Sequence, residues 1–340
     1  MTQTAPHMIV EANIQTNALE DLSAAMKPDM LEVNRLIIEN MQSSVPLIPQ
    51  LAGYLIASGG KRIRPLMTLA ATRLFDRTTT RPYRLAAAVE FIHTATLLHD
   101  DVVDESDQRR GKPSANTVFG NQSSVLVGDF LFSRAFELMV ADGSIEVLRI
   151  LSNASAVITE GEVLQLSIQN KLETTLEQYF DVIAAKTAAL FSAACEIGPV
   201  IAGQSKDMQK ALYDYGHNLG MAFQIADDLL DYEADEAELG KNVGDDFKEG
   251  KMTSPVIYAY AAANAEEKAF WKRTFEDGNY QDGDLKTAQN LIRSSKADQQ
   301  TYDLAVSFVN KAVEALAPVP NSPLKTTLEG LAAFSLIRTK

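Results

Sequence analysis

The chain has 340 residues, 46% of them hydrophobic, so it is long enough to bury a sizeable core. Its formal net charge of −14 argues against a duplex nucleic acid as a partner, and we expect none. Low counts of glycine (18) and proline (12) favour a helical chain.

The N-terminal stretch MTQTAPHMIVEANIQTNALEDLS lacks the basic start and long apolar run of a secretory signal. No later stretch has the length and apolarity of a membrane span, so we expect a cytoplasmic protein without a transmembrane segment. The lone cysteine, Cys195, cannot form an internal disulfide and is expected to be a small buried residue.

Helical periodicity dominates the chain, and no run alternates with the period of two that is typical of a strand. One long apolar helix is predicted to begin near Pro82 and to run to Asp104, and another periodic segment follows Ile145. The predicted loops are Asp76–Arg81, Ser106–Asn121, Ala141–Ser144, Glu233–Ser254, Glu276–Asp284 and Ala317–Pro323. Long charged loops inside a helical protein are often functional.

An acidic pattern, Asp-Asp-x-x-Asp, occurs twice, each time with apolar flanks. The first copy contains Asp100, Asp101 and Asp104, and the second contains Asp227, Asp228 and Asp231. On a helix, the first and last acids of each copy lie on one face. Their repulsion and desolvation are unfavourable unless a cation compensates the charge.

The chemistry of these acids favours a hard divalent cation. All-oxygen ligation suits Mg²⁺, Ca²⁺ or Mn²⁺ rather than zinc, and the spacing does not match an EF-hand loop. Because Mg²⁺ typically binds a few carboxylates together with substrate phosphates, we expect a phosphorylated substrate between two facing acidic copies. The alternative is that each triplet is a helix cap or a solvated helix end.

Basic residues at several places could bind the phosphate groups of such a substrate. They are Lys61, Arg62 and Arg64 in GGKRIRP, Arg109 and Arg110 in DQRRGK, Lys186 in AAKTAALF, and Lys241 and Lys251 in LGKNVGDDFKEGK. Arginine can grip a phosphate with two hydrogen bonds, whereas lysine acts as a point charge. Lys186 fits an ordinary surface position least, because its neighbours are alanine and threonine. His93 lies two helical turns before Asp100, on roughly the same face.

With these motifs the chain resembles the trans-isoprenyl diphosphate synthases, or polyprenyl synthetases. The resemblance extends from about Leu31 to the C-terminus. The motifs that carry the resemblance are GGKRIRP, LLHDDVVDESDQRRG, SVLVGDFLFSRAF, GEVLQL, KTAALF, GMAFQIADDLLDY and LGKNVGDDFKEGK. The closest likeness is to bacterial long-chain octaprenyl and decaprenyl diphosphate synthases. The resemblance implies an all-α isoprenoid-synthase fold, with residues 1–340 as one helical domain around a deep cavity, usually in a homodimer. Residues 1–30 match weakly.

The resemblance also implies roles for individual residues. Three Mg²⁺ ions would be held by Asp100, Asp104 and Asp227, with Asp101, Asp228 and Asp231 supporting them. Isopentenyl diphosphate would be bound without metal by Lys61, Arg64, His93 and Arg110. The allylic partner, farnesyl or geranyl diphosphate, would be bound by Arg109, Lys186, Thr187, Gln224, Lys241 and Lys251. Asp246 matches the acid usual in the loop after the second copy.

The length of the product is expected to depend on an apolar tunnel beside the helix that carries Asp100. In the family, a bulky aromatic residue five positions before the first acid blocks this tunnel. Here that position is Ala95, and Ile92 lies eight positions before, so the resemblance implies a long product of roughly C40–C50 for quinone side chains. Phe130, Phe132 and Phe136 are candidates for a deeper floor, although aromatic residues at helical spacing are more often core.

Three other readings remain. A terpene cyclase or head-to-head condensing enzyme would share the all-α cavity but generally lacks the isopentenyl-binding basic residues and the second acidic copy. A non-catalytic subunit of a heteromeric synthase tends to lose its aspartates, and all six are present here. A metal-buffering helical protein would leave the basic residues without a role.

Overall fold

The structure is a computed structural model and describes residues 17–57, 59–109, 111–233 and 244–337. In these ranges the regular structure is helical apart from one pair of two-residue strands. The predicted all-α fold is confirmed. The prediction that residues 1–340 form a single domain stays a prediction.

The first half of the chain contains eight α-helices and the strand pair within the described ranges. They are α1 (Ala18–Ala25), α2 (Lys27–Asn40), α3 (Leu47–Ala57), α4 (Ile63–Arg73), α5 (Arg81–Val103), β1 (Gln108–Arg109), β2 (Lys112–Pro113), α6 (Ala115–Phe119), α7 (Asn121–Asp142) and α8 (Ile145–Ile168). The strands pair antiparallel, with Gln108 opposite Pro113.

The second half, where described, contains further α-helices and two π-helical segments. They are α9 (Leu176–Ile183), π1 (Ala184–Ala188), α10 (Ala189–Ile201), α11 (Lys206–Glu233), α12 (Asp245–Lys248), α13 (Ser254–Ala262), α14 (Ala265–Trp271), π2 (Lys272–Glu276), α15 (Asp284–Ser294), α16 (Ala297–Ala315) and α17 (Pro323–Ile337).

Local sequence signals set the ends of the long helices. Helix α5 has Pro82 in its first turn, where the missing N–H is tolerated. Helix α7 ends at Gly143, whose φ of 79° is the left-handed conformation that terminates a helix. The next residue, Ser144, caps α8 by accepting a hydrogen bond from the N–H of Val147. The predicted starts near Pro82 and Ile145 are therefore confirmed.

The centre of the molecule is a layered packing of long helices. Helix α5 packs along α7, and α10 lies against α4, α8 and α11, while α16 covers another side of α11. One large apolar core runs through these helices and completely buries Cys195, as the sequence predicted. A second, smaller core forms around Phe247, Trp271 and Phe275.

The predicted loop Ser106–Asn121 contains more structure than expected, namely β1, β2 and α6. Strands of two residues are too short to show an alternating pattern, which is why periodicity could not detect them. Among the described residues, no helix combines the length and the apolarity needed to cross a bilayer. The cytoplasmic location stays a prediction.

Candidate active site

The first acidic copy lies at the C-terminal end of α5, with Asp104 as the residue that caps the helix. Asp101 is completely buried, and its Oδ1 lies 2.7 Å from Nε and 2.6 Å from Nη2 of Arg109 in β1. The backbone oxygen of Asp101 accepts a hydrogen bond of 3.0 Å from the side chain of Asn116. The strand pair and α6 are thus anchored on this end of α5.

The second acidic copy lies in the last two turns of α11. Asp231 accepts hydrogen bonds from the backbone N–H groups of Gly244 (3.2 Å, Oδ1) and Asp246 (3.0 Å, Oδ2). It therefore orders the start of α12, the short helix after this copy. Asp228 is buried and accepts hydrogen bonds from Tyr179 and Gln224.

Lys251 connects the first acidic copy with α12, the short helix that follows the second copy. Its Nζ lies 3.7 Å from Asp104 Oδ2, at the end of α5, and 3.7 Å from Asp246 Oδ1, in α12. It also forms a short ion pair with Glu249. Burial lowers the pKa of Lys251, but the surrounding carboxylates outweigh this effect and raise it above its ordinary value. This partly buried ammonium group therefore links the first acidic copy to Asp246, whose backbone N–H donates to Asp231 of the second copy.

The acids around this ammonium carry more negative charge than their surroundings compensate. Burial raises the pKa of Asp100 to about 7; Lys186 opposes this shift, and Glu162 adds to it. Burial and the neighbouring Asp246 raise the pKa of Asp231 to about 8. Such an excess of partly desolvated carboxylate is what a hard divalent cation stabilises.

Lys186 is placed by π1, a segment held between two close helix contacts. A Cβ on Gly161 of α8 would lie 2.6 Å from Ala185 Cβ, and a Cβ on Gly220 of α11 would lie 2.6 Å from Ala188 Cα. Only glycine allows both helices to approach this closely. The Nζ of Lys186 lies 2.7 Å from Oε2 of Glu162, one residue after Gly161.

The predicted isopentenyl-binding residues cluster at the N-terminal end of α4. The guanidinium of Arg64 lies 4.4 Å from the ring centre of Phe191, and its Nη1 lies 3.3 Å from Nε2 of His93. Lys61 lies 5.6 Å from the ring centre of Phe334 in α17. Lys61 and the two phenylalanines line one small apolar pocket. The cation–π contacts orient both basic groups.

The residues expected to control product length occupy different depths. Ala95 and Ile92 are completely buried on α5, and their role in product length stays a prediction. Phe130 and Phe132 are partly buried on α7. Phe136 is 37% exposed, and its ring lies 5.9 Å from that of Phe132. A role of these phenylalanines as a deeper floor stays a prediction.

The structure brings most of the predicted site residues together in two groups. One group joins both acidic copies with Arg109, Lys186, Thr187, Gln224 and Lys251, and the other joins Lys61, Arg64 and His93. Arg110 and Lys241 lie outside the described residues.

Sequence reasoning missed three residues at the site: Glu162, Tyr179 and Glu249. Glu162 lies within the motif GEVLQL and Glu249 within KNVGDDFKEGK, so their motifs pointed to the region without giving the residues a role. Tyr179 carried no signal, because its partner Asp228 is 49 residues away.

The donor atoms fit a hard cation bound jointly with a ligand. Within the described ranges, no three histidine, cysteine or acidic side chains are grouped closely enough to hold a metal ion by themselves. The carboxylates are nevertheless oxygen donors, and Oδ2 of the buried Asp101 has no hydrogen-bond partner among the described residues. Since Mg²⁺ keeps water molecules and substrate phosphates in its coordination shell, this donor set is compatible with it.

Comparisons with known proteins agree with this arrangement. The sequence model of the family described as polyprenyl synthetase matches residues 45–292. An octaprenyl diphosphate synthase from Escherichia coli is 45% identical over 322 residues, which cover 95% of this chain and 99% of the relative.

Two solved structures are also similar to this chain. One is a decaprenyl diphosphate synthase from Rhodobacter capsulatus (53% identity, TM-score 0.91), covering 95% of this chain and 99% of the other. The second is a polyprenyl synthase from Caulobacter crescentus complexed with calcium and isoprenyl diphosphate (51%, TM-score 0.92), covering 95% and 98%. The family and the class of enzyme predicted from the sequence are thereby confirmed: this chain belongs to the polyprenyl synthetase family of prenyltransferases.

Proposed function

We propose that this protein is a Mg²⁺-dependent trans-polyprenyl diphosphate synthase that adds isopentenyl diphosphate repeatedly to an allylic diphosphate, farnesyl or geranyl. The observation that carries the proposal is the position of Lys251, whose ammonium lies 3.7 Å from both Asp104 and Asp246. An acid of the first copy and an acid that follows the second copy converge on this one cation, and such a place can hold a metal-bound diphosphate. The Caulobacter relative, described as binding calcium and isoprenyl diphosphate, supports this reading.

We propose that three metal ions bind at the site and that Asp100, Asp104 and Asp227 hold them. When bound, the ions supply positive charge that stabilises the departing diphosphate. The raised pKa of Asp100, to about 7, indicates a carboxylate that needs a nearby cation to remain charged at neutral pH.

The allylic diphosphate would be held by the basic residues around the acids. Lys186 and Arg109 pair with Glu162 and Asp101, respectively, so both cations are oriented before substrate arrives. The other residues proposed to bind the allylic diphosphate are Thr187, Gln224, Lys241 and Lys251. The allylic C1–O bond breaks, and the diphosphate leaves with the electron pair. Fixed cations lower the barrier because they need no reorientation as charge develops.

Isopentenyl diphosphate would be bound by Lys61, Arg64, His93 and Arg110. Phe191 and Phe334 flank the first two cations and limit their movement. The double bond of isopentenyl diphosphate forms a new bond to the allylic C1, and a proton is then lost to the released diphosphate. The buried apolar surroundings of Ala95 keep water from the carbocation.

The product is proposed to be a long all-trans chain of roughly C40–C50 for quinone side chains. Small or aliphatic residues occupy the two positions before Asp100 that would otherwise close a tunnel, since Ala95 and Ile92 carry no ring. The relatives from E. coli and R. capsulatus are named octaprenyl and decaprenyl diphosphate synthases, which supports this length class.

A homodimer is proposed as the working assembly. Four apolar side chains remain exposed on α7: Val125, Leu126, Phe136 and Val140. At 100° per residue they fall within an arc of about 100° and form a stripe of two apolar pairs, which the exposed Asp129 and Ser133 separate. An exposed apolar stripe on a long helix is typical of a protein interface.

The proposal is tested by incubating the purified protein with farnesyl diphosphate, labelled isopentenyl diphosphate and Mg²⁺, and measuring product mass. We expect products of roughly C40–C50, and no turnover after addition of EDTA. Asp100→Asn and Asp227→Asn should each reduce kcat at least about 100-fold, because each removes a metal ligand.

Asp214→Asn is the matched control for these variants. Asp214 lies on α11, as Asp227 does, but it pairs with Lys210 on the exposed surface, where an ion pair contributes little. Its kcat should stay within about twofold of the unmodified protein. Turnover that persists in EDTA would contradict the role of the metal, and products no longer than C15 would contradict the length class.

A further inference from the structure

A buried chain of hydrogen bonds connects α9 with the second acidic copy. The hydroxyl of Tyr179 donates to Oδ2 of Asp228 over 2.6 Å, and Nε2 of Gln224 donates to Oδ1 of the same carboxylate over 2.7 Å. The hydroxyl of Thr187 donates to Oε1 of Gln224, also over 2.7 Å. Four side chains are therefore linked in one continuous row.

The row of hydrogen bonds connects two elements at two places. Tyr179 and Thr187 belong to one continuous stretch, α9 followed by π1, and this stretch also carries Lys186. Asp228 and Gln224 lie one turn apart on α11. The stretch that carries Lys186 is thus attached to α11 at both ends, at Asp228 and at Gln224.

The hydrogen bonds leave little freedom to the polar groups in the middle. Because the amide nitrogen of Gln224 is committed to Asp228, its oxygen must face Thr187. The carboxylate of Asp228 is almost completely buried, so each oxygen needs a donor, and the two donors present fix its rotation about χ2. Removal of the Tyr179 hydroxyl would leave Oδ2 of Asp228 without this donor.

The hydroxyl of Tyr179 contributes little to packing. The ring packs in the main core and lies 5.8 Å from the ring of Phe180, contacts that a phenylalanine would keep. The capping box of α9, formed by Thr175 and Gln178, fixes the start of the helix without help from this hydroxyl. The oxygen atom is therefore explained by its bond to Asp228 rather than by the fold.

We propose that Tyr179 is a positioning residue for prenyl transfer, which fixes Asp228 and, through Gln224, the hydroxyl of Thr187 on the side where the allylic diphosphate would bind. Tyr179 does not touch the substrate. The inference rests on the proposed function, because it assigns Gln224 and Thr187 to the diphosphate site. Partners that orient residues at a metal or diphosphate site commonly affect activity by about 10- to 100-fold.

The test compares Tyr179→Phe with Tyr215→Phe. Tyr215 is also completely buried, lies on α11 and donates a hydrogen bond of 2.7 Å, but its acceptor is the backbone oxygen of Leu328, outside the site. We expect Tyr179→Phe to lower kcat about 10- to 100-fold while the KM for isopentenyl diphosphate changes less than about threefold. Tyr215→Phe should lower the unfolding temperature similarly but keep kcat within about twofold.

Coupling within the row provides a second measurement. Thr187→Val breaks the opposite end of the chain, and it serves as the second variant if Tyr179→Phe does not fold. In the double variant the two losses in kcat should combine to less than their product, because both single changes disrupt the same row.

Two outcomes separate the inference from the proposed function. An active unmodified protein whose kcat is unchanged by Tyr179→Phe would overturn the inference alone, and so would equal kcat losses in the two tyrosine variants. An unmodified protein that forms no prenyl product would contradict the proposed function and the inference with it.

Discussion

Ala95 is the side chain that we expect to control the length of the product. It is completely buried on α5, and so are Ile92, one turn earlier, and Ala88, two turns earlier. Residues seven positions apart lie on nearly the same side of a helix and about 10 Å apart along it. Ala95 and Ala88 would therefore mark two depths beside the proposed path of the growing chain.

We expect Ala95→Phe to shorten the product, because the ring would fill the path nearest to Asp100. Ala88→Phe should give a product of intermediate length, longer by roughly two isoprene units, since it lies about 10 Å deeper. The measurement is the mass distribution of the products, which does not depend on how much activity each variant retains. Equal products from both variants and the unmodified protein would show that the tail does not run along this face of α5.

At the scale of residues, the sequence predicted the composition of the site but not its pairings. The motifs identified Lys186, Thr187 and Gln224, whose side chains lie at one site. They could not show that Lys186 pairs with Glu162, because 24 residues separate them and a pairing depends on how π1 packs against α8. A single sequence does not show which residues far apart along the chain lie close together in space.

At the scale of elements, the turn after α8 fixes the loop that carries Lys251. The N–H of Asn170 donates to the backbone oxygen of Gly250 over 2.9 Å. The side-chain amide of Gln169 donates to the backbone oxygen of Glu249 over 2.5 Å. Gly250 has a φ of 66°, and a Cβ there would lie 1.7 Å from Oδ1 of Asn170. This position favours glycine, and the contact with Asn170 fixes the backbone from which the side chain of Lys251 extends.

Gly250→Ala is expected to displace this loop and weaken binding of the allylic diphosphate, with a fall in kcat/KM of at least about tenfold. The variant must adopt a left-handed conformation, which costs about 1–2 kcal/mol, and must also relieve the clash with Asn170. Steady-state kinetics with varied allylic substrate would measure the change.

Gly203→Ala is the control for backbone strain. Gly203 also has a φ of 66°, but a Cβ there has no atom within 4 Å. It should show a comparable loss of stability with kcat/KM nearly unchanged. Equal kinetic losses in both glycine variants would contradict a specific role for the contact between Gly250 and Asn170.

The elements themselves were predictable to different degrees. The long helix of Arg81–Val103 follows from apolar periodicity and the early proline. The π-helical segment Ala184–Ala188 was not predicted, because its residues are ordinary helix formers and its extra residue per turn depends on tertiary contacts. The predicted loop Glu233–Ser254 contains the short helix Asp245–Lys248, whose order depends on Asp231, a residue outside the helix.

At the scale of the whole molecule, the proposed homodimer depends on the stripe on α7. Leu126 and Val140 are 67% and 64% exposed, and both lie within the stripe. Replacing both by glutamate would place charge in an interface that must exclude water, whereas the helix itself would remain compatible with glutamate. The double variant should sediment with half the mass of the unmodified protein at micromolar concentration.

Leu31→Glu is the control for this change, because Leu31 is 63% exposed but lies on α2, away from the stripe. It should leave the mass unchanged, since the charge is placed on α2 and the stripe on α7 keeps its apolar side chains. A stripe variant that keeps the mass of the unmodified protein would contradict the assignment of α7 to the interface. If the unmodified protein itself sediments as a monomer, the proposed dimer is contradicted.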